Sequence, residues 1–210
     1  MGANLVYFLI AVSIGLSAFA TSVVAQTIPE LLAEADRSLG RSAEIETGPP
    51  PSVELILAET DTIVRGIVGQ PHSYLSPDQN EVLSDYPVLN PIVLWPRTNA
   101  ATPMPTPPRP APHVVITHIG GTVSAHGHSF TMHHKELPPL PPDVEGIFLL
   151  KQVGAHYKIA GAFYGAFKTD GDRLVPLTTS QEFANELREM TQAEAIQWLV
   201  GKKQQASTGR

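Results

Sequence analysis

Cysteine is absent from the 210-residue sequence. Its absence excludes disulfide bonds, catalysis by a thiol, thiolate ligands to a metal and a lipid anchor attached to a cysteine. A domain without these supports must be held together by an ordinary hydrophobic core. Apolar residues make up 42% of the chain, which is enough to build such a core.

Positive charge is also scarce. Lys and Arg number 14 against 20 Asp and Glu, so the formal net charge is −6. Proteins that bind nucleic acid use clustered Lys and Arg to neutralise phosphates. The sequence therefore predicts no nucleic-acid partner.

The first 25 residues resemble a targeting segment. The run from Leu5 to Ala20 is almost purely apolar, and small residues follow it up to Ala25. This pattern predicts a secretory signal peptide cleaved after Ala25, which would place the protein in the periplasm or outside the cell. Two features leave a second interpretation open. The segment before Leu5 lacks the Lys or Arg of a typical signal peptide, and the apolar run is close in length to the roughly 20 residues of a membrane span. The alternative is an uncleaved N-terminal anchor, and only then do we expect the protein to contact a membrane.

Twenty prolines help to divide the rest of the chain. We expect residues 26–51 to form a helix and a Pro-rich tether, residues 52–178 a β-barrel domain, and residues 179–210 C-terminal helices and a tail. Within the barrel domain, prolines cluster in residues 96–112 and favour an extended polyproline II conformation. We interpret this segment as an exposed loop between two strands; the alternative is a ligand for the aromatic groove of a partner protein.

Strand and helix signals in this region indicate the fold class. Seven or eight short segments rich in β-branched residues are separated by Gly, Pro and Asp turn signals, which is typical of a closed or nearly closed antiparallel barrel. Two capping boxes, Thr179 with Glu182 and Thr191 with Glu194, predict helices after the strands. The chain is therefore predicted to be mainly β, with an N-terminal helix and a C-terminal helical cap.

Several strand patterns are similar to those of known families. The run Asp61-Thr62-Ile63-Val64-Arg65-Gly66-Ile67-Val68 resembles the first barrel strand of netrin-like and metalloproteinase-inhibitor OB-fold domains. Later patterns, such as Gly146-Ile147-Phe148-Leu149-Leu150, are similar to those of uncharacterised exported bacterial proteins. The resemblance covers about residues 53–177 and implies an antiparallel OB-like β-barrel. It implies no catalytic residue, because the cysteines of the netrin-like domains are missing.

Histidines are concentrated in one part of the sequence. Six of the eight lie within residues 113–134, and neutral imidazole is a good ligand for zinc and copper. If His126-Gly127 forms a two-residue turn, His128 and His134 are about 20 Å apart along one strand. One hairpin therefore cannot bring three histidine ligands together.

A bulge at Gly120-Gly121 would give a different arrangement. It would bring His118 opposite His133 or His134, and Glu136 or Asp143 would complete a zinc or copper site with an open position. The alternative is a set of surface and rim histidines. The spacing is not that of a known zinc motif.

A second candidate site is a ligand groove beside Tyr157 and Tyr164. The Gly-rich run around Tyr164 also has a structural explanation, since strand glycines let a sheet bend at a barrel corner. The sequence contains no G-x-S-x-G elbow and no Gly-rich phosphate loop.

These observations predict an exported, non-enzymatic binding or interaction module, with an envelope or extracellular protein as its partner. The alternative is a His-dependent metal-binding protein or metallohydrolase. Its metal ligands would be His118, His133, His134 and Glu136.

Overall fold

A computed structural model describes residues 27–33, 41–45, 50–96, 114–125, 128–134, 138–162, 164–178 and 181–208. The predicted signal peptide lies outside the described residues, as does the predicted Pro-rich loop except for Pro96. Within these ranges, none of the helices combines the length and apolar character needed to cross a membrane.

The described residues form eleven strands and four helices. In chain order they are α1 Ile28–Ala33, β1 Arg41–Ile45, α2 Val53–Glu59, β2 Thr62–Val68, β3 His72–Leu75, β4 Val82–Trp95, β5 Val114–Ile119, β6 Gly121–Ala125, β7 His128–His134, β8 Glu145–Val153, β9 His156–Ile159, β10 Ala166–Asp170, β11 Arg173–Pro176, α3 Gln181–Leu187 and α4 Gln192–Thr208.

Five strands close into a barrel in the order β2-β4-β5-β9-β8, and β8 pairs back with β2. The predicted β-barrel is confirmed. The prediction of an antiparallel arrangement throughout is wrong, because β5 and β9 pair in parallel, through the single register pair Ile116 and Tyr157. The reason is one of parity: strand directions alternate around an antiparallel ring, and an odd number of strands leaves one pair pointing the same way.

The barrel interior is filled by apolar side chains that alternate along the strands. In β2, Val64 and Val68 belong to this inner core, and in β5 Val114 and Ile116 do so. Their neighbours face outward, because successive side chains of a strand lie on opposite faces. The inner core consists of the buried residues Val64, Val68, Tyr86, Val88, Val114, Ile116, Leu140, Phe148, Leu150, Ile159 and Ala166.

Strand β8 is buried on both faces. Phe148 and Leu150 belong to the inner core, whereas Ile147 and Leu149 pack outside the barrel against helices. A continuous apolar run is typical of a strand that is covered on both sides. The outer core includes the buried residues Val53, Ile56, Leu57, Ile63, Phe167, Phe183, Leu187, Ala195 and Leu199 from α2, β2, β10, α3 and α4. The predicted C-terminal helix is present and covers this outer wall.

Side-chain contacts hold α4 at its N-terminus and again at Lys203. The backbone N–H of Thr191 donates to Glu194 Oε2 at 2.8 Å, and the N–H of Glu194 donates to Thr191 Oγ1 at 3.3 Å. These bonds form the predicted capping box, and those from Thr191 hold the pKa of Glu194 below its usual range. Further along, Lys203 Nζ donates to the carbonyl oxygen of Leu57 at 3.0 Å. This contact places a cation at the C-terminal end of α2, where the helix dipole favours it.

A second, three-stranded sheet has the order β1-β7-β6. In the hairpin of β6 and β7, Ala125 lies opposite His128 and Val123 opposite Phe130, which is the register that a two-residue connection predicts. Phe130 and Met132 are buried in a third apolar cluster with Ile28 and Val82. Strand β1 lies within the segment predicted to be a tether and pairs in parallel with β7.

Strand β4 runs for 14 residues and includes Pro87 and Pro91, and proline within a strand is typical of an edge or a bulge. A bulge is present where Gly66 of β2 lies opposite two residues of β4, Asn90 and Pro91. Asn90 has a φ of 50°. Pro87 is not at an edge, because it pairs with β5 on one side and its carbonyl oxygen accepts from Gly69 N–H on the other.

Replacing Gly146 with Ala is expected to lower the free energy of unfolding by about 1–3 kcal/mol, because overpacking strains a close-packed site. A Cβ atom at Gly146 would lie 2.5 Å from the carbonyl oxygen of Phe167 and 2.8 Å from Phe148 Cζ. Urea unfolding followed by circular dichroism measures the change. As the control, Gly201→Ala meets no neighbouring atom within 4 Å and is expected to stabilise α4 by about 0.5–1 kcal/mol. Unchanged stability of Gly146→Ala would contradict the packing described here.

Candidate functional site

A polar cluster lies on the outer face of the barrel, where β3, β4, β5 and β9 run side by side. Asp85 of β4 is opposite His72 of β3 and Thr117 of β5. Tyr86, which follows Asp85, and Ile116, which precedes Thr117, both belong to the inner core. Strand alternation therefore directs Asp85 and Thr117 outward.

Hydrogen bonds join four strands at this cluster. Thr117 Oγ1 donates to Asp85 Oδ1 at 2.6 Å, and the Tyr74 hydroxyl donates to the same oxygen at 3.2 Å. His156 Nδ1 lies 3.0 Å from Thr117 Oγ1 and 3.5 Å from Asp85 Oδ1. We call these four residues, together with His72, the Asp85 cluster.

The Asp85 cluster is accessible to solvent. The side chain of Asp85 is 21% exposed and that of His156 is 45% exposed. The rings of His72 and Tyr74 are stacked, with centroids 6.2 Å apart and an interplanar angle of 24°. The cluster thus combines a carboxylate, an imidazole and a pair of stacked rings on one open surface.

Burial and the Asp85 carboxylate both raise the pKa of the Tyr74 hydroxyl above 10.0, burial contributing most. The neighbouring Thr117 hydroxyl acts to a smaller extent in the opposite direction. The phenol therefore stays protonated over the whole physiological range and serves as a donor. The stability that it contributes is present below pH about 10 and is lost as the pH rises through the folded-state pKa.

The chain matches no protein-family model, no curated protein and no solved structure. The chemistry of the site has to be interpreted from its own residues.

The predicted metal ligands lie in different surroundings. His118 is 3% exposed at the end of β5, with its ring 6.1 Å from that of Tyr86. His133 is exposed on β7, on the face opposite to Phe130 and Met132. The described residues contain no group of three or more His, Asp or Glu that could hold a metal ion.

The remaining predicted ligands are His134, Glu136 and Asp143. The side chain of His134 and the whole of Glu136 lie outside the described residues. Asp143 accepts a hydrogen bond from Gln70 Nε2 at 3.2 Å. A zinc or copper site therefore stays a prediction.

The predicted ligand groove contains two tyrosines that pack in different cores. Tyr164 is 5% exposed and belongs to the outer core beneath the helices. Tyr157 is half-buried against the inner core, at the register pair that closes the barrel. The two residues thus lie on different sides of the barrel wall.

The Asp85 cluster was missed by the sequence-based predictions. Its members are spread from residue 72 to residue 156, and only closure of the barrel brings β9 beside β5. One local signal was available: Asp85 is the only charged residue of β4, and strand alternation with the buried Tyr86 places it on the outer face.

Replacing Asp85 with Asn is expected to lower the pKa of Tyr74, because the substitution removes the charge that opposes ionisation of the phenol. Titration of the tyrosine ring carbons by NMR measures the change. Tyr86 provides an internal control, since burial raises its pKa without any contribution from Asp85. A Tyr74 pKa that stays at its wild-type value, or an equal fall at Tyr86, would contradict the described geometry.

Proposed function

We propose that this protein is an exported, non-enzymatic binding module built on an OB-like barrel, and that the Asp85 cluster marks its binding face. The observation that carries the proposal is a partly exposed hydrogen-bonded network on one wall of the barrel, while α2, α3 and α4 pack against the opposite wall. The ligand would be an envelope or extracellular component.

The strand order supports an OB-like barrel. OB-folds are five-stranded Greek-key barrels that bind ligands on the face of their second and third strands. Here β2, β4 and β5 follow one another around the barrel, and β8 and β9 return to close it. The Asp85 cluster is centred on β4 and β5, which are the second and third strands of the barrel.

The hydrogen bonding of Thr117 supports a binding role over a catalytic one. A hydroxyl nucleophile is activated when it donates its proton to a neighbouring base such as histidine. Thr117 donates at 2.6 Å to the Asp85 carboxylate instead, which is a much weaker base than imidazole, so its proton is directed away from His156. The cluster is arranged to hold side chains in place and to offer polar atoms.

The export part of the proposal is tested in cells that produce the full chain. We expect the protein in the periplasmic or secreted fraction, with a mature N-terminus at Gln26 identified by mass spectrometry. A cytoplasmic protein retains Met1 or begins at Gly2. A membrane-bound protein with an intact N-terminal segment would support the uncleaved anchor.

The binding face is tested by capture from envelope extracts on the immobilised protein. We expect at least one small molecule, glycan or protein to be retained by the wild type and lost with His156→Leu. The matched control is Glu186→Gln, an exposed position on α3 on the helical side of the barrel. Equal retention by all three proteins would overturn the assignment of the binding face.

A further inference from the structure

The hydrogen bonds of the Asp85 cluster fix the position of a proton on His156. An ionised carboxylate only accepts hydrogen bonds, and a threonine hydroxyl has a single proton to donate. Thr117 directs that proton to Asp85 Oδ1 at 2.6 Å. Thr117 Oγ1 must therefore act as the acceptor for His156 Nδ1, 3.0 Å away.

The neutral imidazole consequently carries its proton on Nδ1. Its second nitrogen, Nε2, is left as an acceptor on a side chain that is 45% exposed. The contacts of Asp85 with described residues all involve Oδ1. Asp85 Oδ2 is therefore a second acceptor on the same face.

The two acceptors lie beside a flat aromatic surface. His72 is directly opposite Asp85 in the β3–β4 register and stacks on Tyr74, whose hydroxyl is held by Asp85. A ligand that fits this face has a ring to lie against the stacked pair and donors to reach Asp85 and His156. Sugar rings have this combination, because each carries several hydroxyl donors around a compact ring.

We propose that the Asp85 cluster binds a neutral saccharide, whose hydroxyls donate to His156 Nε2 and Asp85 Oδ2 while one sugar ring lies on His72 and Tyr74. This inference rests on the proposed binding function and names its ligand class. A neutral saccharide suits the face because its hydroxyls can donate to Asp85 Oδ2 and His156 Nε2, while Asp85 Oδ1 already accepts from Thr117 and Tyr74.

The first test is the proton position on His156. Long-range proton–nitrogen NMR spectra of the full-length protein at pH 8 distinguish the two tautomers, and the His156→Leu variant identifies the signal. We expect the proton on Nδ1. A proton on Nε2 would overturn the proposal, because the exposed nitrogen would then be a donor.

The second test uses chitohexaose, maltohexaose and cellohexaose as probes, each titrated to millimolar concentration by calorimetry and amide NMR. We expect at least one probe to shift the signals of β3, β4, β5 and β9, and His156→Leu to weaken its binding at least tenfold. Tyr74→Leu should weaken binding similarly by removing the stacking surface. The matched control is Glu186→Gln, an exposed position on α3, which should leave binding unchanged.

Thermal unfolding of each variant shows whether it is folded. The His156 side chain is 45% exposed, so His156→Leu provides a second test if Tyr74→Leu is unstable. Absence of binding to all three probes would overturn the saccharide assignment. If an envelope protein is nevertheless captured through His156, the proposed binding face stands and only the ligand class is wrong. If neither experiment shows binding, both proposals fail.

Discussion

The odd number of strands in the barrel is the constraint on which the rest of the structure depends. Five strands cannot all pair in antiparallel fashion around a closed ring, so one seam must be parallel. The chain places that seam between β5 and β9, where the backbone ladder is reduced to one register pair. Side chains supply what the backbone lacks there, since His156 and Thr117 join the two strands directly beside it. The candidate site thus lies beside the pair of barrel strands that has the fewest backbone register partners.

The opposite wall solves a different problem. Strand β8 carries apolar residues on both of its faces, and the outward ones would be exposed on a bare barrel. Helices α2, α3 and α4 cover them, which commits that side of the molecule to packing. One wall of the barrel is therefore buried under helices, whereas the other carries an exposed polar network.

Local patterns predicted the parts of the fold that depend on neighbouring residues. The β6–β7 register and the Thr191 capping box follow from signals within a few residues, and both are present. The parallel seam could not be predicted in this way, because it arises from the number of strands in the closed ring. Strand β1 was missed since its partner β7 lies more than 80 residues away.

The candidate site was harder to predict for the same reason. Histidines are densest in residues 113–134, but their density along the sequence does not determine which side chains meet in the fold. His118 turns into the protein and His133 turns out of it. His156, which was not singled out, meets Asp85 and Thr117 because strands distant in sequence pair there. A site that spans several strands depends on their register, and the register between strands distant in sequence cannot be predicted from local composition.

The contribution of α4 to the outer core has a consequence for the order of folding. Ala195 and Leu199 pack with Ile56 and Ile147, so the wall of the barrel is left uncovered until α4 docks. This helix follows every described strand along the chain and leaves the ribosome after them. A nascent chain therefore has its barrel strands available but not the surface that seals them. Docking of α4 is therefore the step that completes the outer core.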